Sequence, residues 1–171
     1  MATFILTVVG DDRAGLVSAL SGPIKARGGS WERSQMARLA GKFAGIVLVA
    51  VPDDAYDDLV AELTGLKDKG LQIVIERTDE PAERESLRFQ LDLLGADHPG
   101  IIADISSALA AEGVSIDELS TDVRDAPMSG GTLFEASAVL DAPAATSPDG
   151  LRAMLEKLAD ELMVEIRLSD G

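Results

Sequence analysis

Two short segments hold the residues best placed for chemistry: Gly10-Asp11-Asp12-Arg13-Ala14-Gly15 and Gly95-Ala96-Asp97-His98-Pro99-Gly100. Each follows an alternating apolar run and precedes apolar residues at helical spacing, so each reads as a strand-to-helix turn. A helix starting there directs unpaired backbone N–H groups and its positive dipole end at the turn. Such a place suits a carboxylate, for instance that of a free amino acid. Gly15 and Gly100 lack a Cβ, so backbone or ligand could come close. The same residues also have a purely structural use, as turn glycines for tight helix packing, with Asp12 and Asp97 as helix caps. The two uses are compatible.

The rest of the sequence offers little other chemistry. The 171 residues include no Cys and one His, with 15 Lys+Arg against 30 Asp+Glu and a net charge of −15. Without Cys there is no disulfide, thiolate nucleophile, Cys zinc site or iron–sulfur cluster. One His excludes any site that needs two imidazoles. As a catalytic base His98 would require an orienting partner, and Asp97 is only its sequence neighbour; a ligand contact or a solvated loop position suits it better. Asp53-Asp54-Ala55-Tyr56-Asp57-Asp58 has the composition of a cation loop but lacks the glycine and distal Glu of a calcium loop. Acids favoured by a helix dipole explain it better. The acidity argues against nucleic-acid binding and against docking on an anionic membrane. No run approaches the roughly 18 apolar residues of a membrane span, and the N-terminus lacks a signal peptide's basic flank. These features lead us to expect a soluble cytoplasmic protein with no catalytic residues, no metal and no cofactor.

The positioning elements follow from an internal repeat. The two turns align at an offset of 85, and the register runs on through Leu20 and Ile105, Gly28 and Gly113, and Ser30 and Ser115. Upstream, Phe4, Leu6 and Val8 fall on Phe89, Leu91 and Leu93. Each copy reads β-α-β-β-α-β: strand 3–10, helix 14–27, strands 31–38 and 43–51, helix 53–67 and strand 71–77, then the same order from 87 onwards. Gly113 should end its helix in the left-handed conformation, and Pro99 suits a first helical turn. This order is the split βαβ, or ferredoxin-like, arrangement. The expected class is therefore α+β: two domains, each a four-stranded antiparallel sheet with both helices on one face. The expected boundaries are 1–78 and 87–171, with the charged segment 79–86 as linker.

Charge and pattern make the copies unequal. Residues 1–85 hold 10 Lys+Arg against 14 Asp+Glu, whereas residues 86–171 hold 5 against 16. In the second copy the face away from the helices carries Arg88, Gln90, Asp92, Glu135 and Ser137, an ordinary wet surface. In the first, Ile5, Thr7, Val9, Val47, Val49 and Val51 are assigned to that face. It should then be buried against the second domain or another subunit. Arg33, Arg38 and Lys42 around the first hairpin fit a solvated edge or an acidic partner.

The turn segments also resemble a known family. Asp12-Arg13-Ala14-Gly15-Leu16-Val17 and Asp97-His98-Pro99-Gly100-Ile101-Ile102 are similar to the Asp-x-Pro-Gly-[Leu/Ile]-[Leu/Val/Ile] signature of ACT domains. Gly28-Gly29-Ser30 and Gly113-Val114-Ser115-Ile116 are similar to that family's turn into its second strand. The resemblance implies βαββαβ regulatory modules that sense free amino acids. Two such copies with nothing left over resemble the glycine cleavage system transcriptional repressor family. That likeness implies a non-enzymatic regulator contacting a transcription activator rather than DNA, with a hydrolase domain such as that of formyltetrahydrofolate deformylases absent. It implies ligand positions at Asp12, Arg13, Ala14, Gly15 and Leu16 with Ser30, Trp31 and Glu32. The second set is Asp97, His98, Pro99, Gly100 and Ile101 with Ser115, Ile116 and Asp117. The ligand would be an amino acid such as glycine or serine, held between two domains. Arg13 or loop N–H groups would take its carboxylate, and Asp12, Asp97 or Asp117 its ammonium. A homo-oligomer is expected. The alternatives are a ligand-free oligomerisation module and a small regulatory subunit associated with an enzyme.

Overall fold

The computed structural model describes residues 1–79, 83–128 and 130–171. Glu80, Pro81 and Ala82 of the expected linker, and Ser129 of the second hairpin, lie outside the described residues. The chain divides into two compact units, Met1–Ala82 and Glu83–Gly171. The first runs β1 (Ala2–Asp11), α1 (Leu16–Ala26), β2 (Ser30–Leu39), β3 (Lys42–Val51), α2 (Tyr56–Thr64) and β4 (Leu71–Arg77). The second runs β5 (Ser86–Ala96), α3 (Ile101–Ala111), β6 (Ser115–Asp125), β7 (Thr132–Pro143), α4 (Pro148–Leu162) and β8 (Val164–Asp170). Each sheet is four-stranded and antiparallel, ordered β2-β3-β1-β4 and β6-β7-β5-β8. The expected α+β ferredoxin-like arrangement is present twice. Ser86, assigned to the linker, already pairs with Pro143 as the first residue of β5.

Register decides which side chains form each core. In the first unit Phe4 lies opposite Val49 and Leu6 opposite Val47. All four are fully buried with Leu20, Ile24, Leu59 and Leu63 of the two helices. In the second, Phe89, Leu91 and Leu93 meet Leu140, Ala138 and Ala136 beneath Ile105, Leu109, Leu151 and Leu155. One expectation is overturned here. Val47, Val49 and Val51 do not belong to the open face of the first sheet; they face the helices. The run from Phe43 to Val51 is apolar almost throughout, so alternation could not reveal its parity, and pairing with β1 fixes it instead.

The open face carries Ile46, Leu48 and Ala50 in their place, beside Ile5, Val9 and Val74. Leu48 and Ile5 are half-buried and Val9, Ile46 and Val74 are exposed, so this open face is apolar. The second sheet's open face is polar: Gln90 donates to Ser137 Oγ at 2.7 Å, and Arg124 pairs with Glu135 at 2.5 Å.

Local chemistry sets the helix ends. The Ser147 hydroxyl caps α4 by accepting from Gly150 N at 3.1 Å, with Pro148 in the first turn. Helices α1 and α3 begin differently, after Gly15 (φ 89°) and Gly100 (φ 92°), and neither has a side-chain cap. The assignment of Asp12 and Asp97 as caps is thus corrected: each sits three residues before its N-cap glycine. Pro99 likewise precedes the helix. Gly113, with φ 72°, does close α3 as expected. Before the last strand of each unit the chain needs a left-handed residue, Gly70 in the first (φ 84°) and Met163 in the second (φ 55°).

The register predicts that Val47→Ala costs about 2 kcal/mol through lost methyls and the cavity left behind. Ile46→Ala on the open face should fall within about 0.5 kcal/mol of wild type. Urea unfolding of both variants checks the parity. Met163→Gly should stabilise by about 1 kcal/mol, since Met163 is exposed and only its backbone is strained. The same unfolding assay reads that gain.

Candidate functional site

Each candidate site begins at the turn between the first strand and first helix of its unit. Leu16 and Ile101 open their helices with side chains in the core, 4% and 2% exposed. They anchor the turn and can offer a ligand only their backbone. Ahead of them, the left-handed glycines let the chain reverse from strand to helix without a Cβ clash. A Cβ placed on Gly15 would meet nothing within 4 Å beyond the adjoining residues, and one on Gly100 only Asp104 Oδ2, at 3.9 Å. The first-turn N–H groups of α1 and α3 have no side-chain cap. Such a turn can receive a carboxylate.

Ion pairs and backbone bonds fix the rest of the first turn. Asp12 N donates to Gly41 O at 2.9 Å, and Arg38 donates to Asp12 Oδ2 at 3.1 Å. Lys42 pairs with Asp11, and that hydrogen bond together with the nearby ammonium charge holds the Asp11 carboxyl below the usual carboxylate range. The acids that would answer Arg38 and Lys42 therefore come from the chain's own turn. In the second unit Asp97 N donates to Thr132 O at 2.9 Å, the same turn-to-hairpin bond. Asp97 itself makes no ion pair among the described residues.

Arg13 and His98 occupy equivalent positions and do equivalent work. Arg13 Nη2 donates to Lys69 O at 2.6 Å, and His98 Nε2 donates to Leu162 O at 3.0 Å. Each acceptor immediately precedes the left-handed residue, Gly70 or Met163, that leads into the last strand. Both side chains thus latch the turn to the segment that leads into the last strand. Arg13, assigned to a ligand's carboxylate, already spends one guanidinium N–H on this carbonyl. Sequence spacing gave no signal for the latch, because its acceptors are backbone atoms more than fifty residues away.

The remaining assigned residues are elsewhere. Ser30 and Ser115 start the second strands, which run parallel to the first strands. They therefore lie at the opposite end of helices of 11 residues, about 16 Å from the turns. Trp31 and Ile116 are half-buried against the two cores. Glu32 and Asp117 are the bulge residues of β2 and β6, and Asp117 accepts from Arg88 at 3.2 Å. One unit alone does not bring Asp12–Leu16 together with Ser30–Glu32, nor Asp97–Ile101 with Ser115–Asp117. Ala14 and Pro99 are exposed turn residues. Among the described residues no group of three or more His, Cys, Asp or Glu could hold a metal ion. No described helix is long and apolar enough to cross a membrane.

The glycine-led turn, the β-α-β-β-α-β order and the sheet order together match a known pattern: residues 2–76 fit the ACT domain. The chain is an ACT-domain protein. It is 37% identical over 81 residues to the UPF0237 protein MK1213 of Methanopyrus kandleri, covering 46% of this chain and 82% of that protein. It is 29% identical over 174 residues to the phosphoserine phosphatase SerB2 of Mycobacterium tuberculosis, a match spanning 97% of this chain. The chain spans only 40% of the length of that enzyme. A crystal structure of a candidate glycine cleavage system transcriptional repressor shares the two-unit fold, with a TM-score of 0.71, 16% identity and coverage of 98% and 96% of the two chains. That likeness establishes the two-unit fold.

Removing the latch should loosen the turn without unfolding the unit. His98→Ala should cost about 1 kcal/mol, as expected for one hydrogen bond. It should also speed amide exchange at Asp97–Gly100 and around Met163. Hydrogen-exchange mass spectrometry measures both regions, and unchanged exchange would refute the latch.

Proposed function

We propose that the chain is a non-enzymatic regulator that binds a free amino acid and passes the signal on by protein contact. The observation carrying this reading is the duplicated turn, where a left-handed glycine precedes each first helix and no side chain caps it. A ligand carboxylate accepts from those N–H groups at either Gly15 or Gly100. Its ammonium goes to Asp97 in the second unit, whose carboxylate is uncommitted, whereas Arg38 already holds Asp12. Because Ser30 and Ser115 sit at the far ends of α1 and α3, the turn of each unit would act without the start of that unit's second strand. Ligand binding then favours one state of the protein over another, which is the thermodynamic basis of such a signal. Glycine and serine are the leading ligands, a cytoplasmic homo-oligomer the leading form, and a transcription activator the leading partner, by analogy with the candidate repressor of the same fold.

A second reading is favoured by the relative SerB2: a regulatory module that serves an enzyme of amino-acid metabolism. Its N–H turns would bind the same class of ligand, but its partner would be a catalytic domain or subunit. Purification of the tagged chain from its native cell separates the two by what it retains, an activator or an enzyme.

Thermal-shift screening against the twenty amino acids tests the shared premise. A ligand at a hundred times its Kd should add about 2.7 kcal/mol to stability and raise Tm by several degrees. Absence of a shift with all twenty would reject amino-acid sensing.

A further inference from the structure

Register sets the side chains of the first sheet's open face in rows that run across β2, β3, β1 and β4. One row reads Arg33, Leu48, Ile5 and Glu76, and the next Gln35, Ile46, Thr7 and Val74. A third reads Ala37, Ala44, Val9 and Gln72. The two inner strands contribute apolar side chains to these rows, with Thr7 the polar exception. The two edges of the first row carry opposite charges, Arg33 on β2 and Glu76 on β4. Val9, Ile46 and Val74 are 38%, 48% and 55% exposed. A contiguous apolar patch inside a polar rim is the usual mark of an interaction surface.

The order within each row specifies an occupant. A two-fold axis parallel to the strands, set between two copies of this face, lays β2 over β4 and β3 over β1 and keeps each row opposite itself. Arg33 then meets Glu76 of the second copy and Glu76 meets its Arg33, so the pair is made twice. Leu48 falls on Ile5, Ile46 on the smaller Thr7, and Val9 on the smaller Ala44. Strands β1 and β3 pair over ten residues, so the four-stranded face measures about 33 by 19 Å. Two such faces together bury on the order of 1,000 Å², about what a specific interface needs. The second unit fails the same operation. Its row Asp122, Glu135, Leu94 and Glu165 would set Asp122 against Glu165 of the other copy, like charge against like. Placed on the apolar rows of the first unit, those acids would lose their water without gain, a cost that a second copy of the first face avoids.

We propose that the first unit pairs with the first unit of a second copy, open sheet face to open sheet face, in the aligned packing of two sheets. The Arg33–Glu76 pairs at the two edges fix the register, and Ile5, Val9, Ile46 and Leu48 form the dry layer between them. The proposal rests on the homo-oligomer reading and assigns its interface; it needs neither glycine turn to be occupied.

Sedimentation velocity of the full chain across the micromolar range tests it, with the 17.9 kDa chain expected to run as a dimer. I46D, at an exposed position of its unit, should weaken dimerisation about tenfold or more while keeping the thermal transition. R33E and E76R should each weaken it about tenfold, and the double change R33E/E76R should restore it, because the swapped charges meet again across the axis. If I46D loses its thermal transition, the charge swap decides. A chain that stays monomeric throughout would reject both this interface and the homo-oligomer. A dimer that none of these changes weakens would overturn this face and leave the homo-oligomer reading standing. Single changes that weaken a dimer which the double change does not restore would overturn the two-fold pairing.

Discussion

Each unit depends on the antiparallel pairing of its central strand with both neighbours. Strand β1 is hydrogen-bonded to β3 and β4, and β5 to β7 and β8. That pairing turns Phe4, Leu6 and Val8 to the helices in one unit and Phe89, Leu91 and Leu93 in the other. A slip of one residue would send every one of them to the open face. It also puts the first-strand exit beside the hairpin tip, where Asp12 N and Asp97 N reach Gly41 O and Thr132 O. The glycine turns are thus by-products of a register that hydrophobic burial enforces.

The repeat made the architecture legible. Glycines at fixed offsets and alternating runs in β1 and β5 specified strand, turn and helix twice, and the left-handed conformation of Gly15, Gly100 and Gly113 follows from their chemistry. Strand β3 hid its faces because Val47, Leu48, Val49, Ala50 and Val51 are apolar on both sides. Its true parity appears only once Leu6 is set opposite Val47. The helix caps were misread for a related reason. Asp12 and Asp97 precede an apolar periodic run as caps do, but the intervening glycines start the helices and leave the carboxylates for pairing or solvent.

The candidate site was only half legible. Turns containing Gly15 and Gly100 can be recognised from local sequence, because the backbone conformation is encoded locally. Partners cannot, because tertiary structure supplies them. The carbonyls of Lys69 and Leu162, the Arg38–Asp12 pair and the Arg88–Asp117 pair all join residues more than twenty-five positions apart. The bulges at Glu32 and Asp117 are similarly silent, since a single extra residue in an edge strand leaves the apolar pattern nearly unchanged.

Divergence between the units is concentrated where it costs the fold little. Both keep their buried sets, and both keep the latch from the turn to the segment before the last strand, although one uses Arg13 and the other His98. The changes fall on exposed or half-buried positions: Thr3 against Arg88, Glu32 against Asp117, Gly70 against Met163. Substitutions there alter charge and local strain while leaving the core intact, so each copy can acquire its own binding surface without losing stability. The second unit closes its bulge with an internal ion pair and presents an acidic, wet sheet. The first leaves the equivalent carboxylate open and carries apolar side chains on its free face. A duplicated domain in which one copy satisfies a charge internally and the other does not has a difference in surface charge between its halves. Because that difference arises from a single side chain at position 3 or 88, it can change without disturbing the register that holds either sheet together.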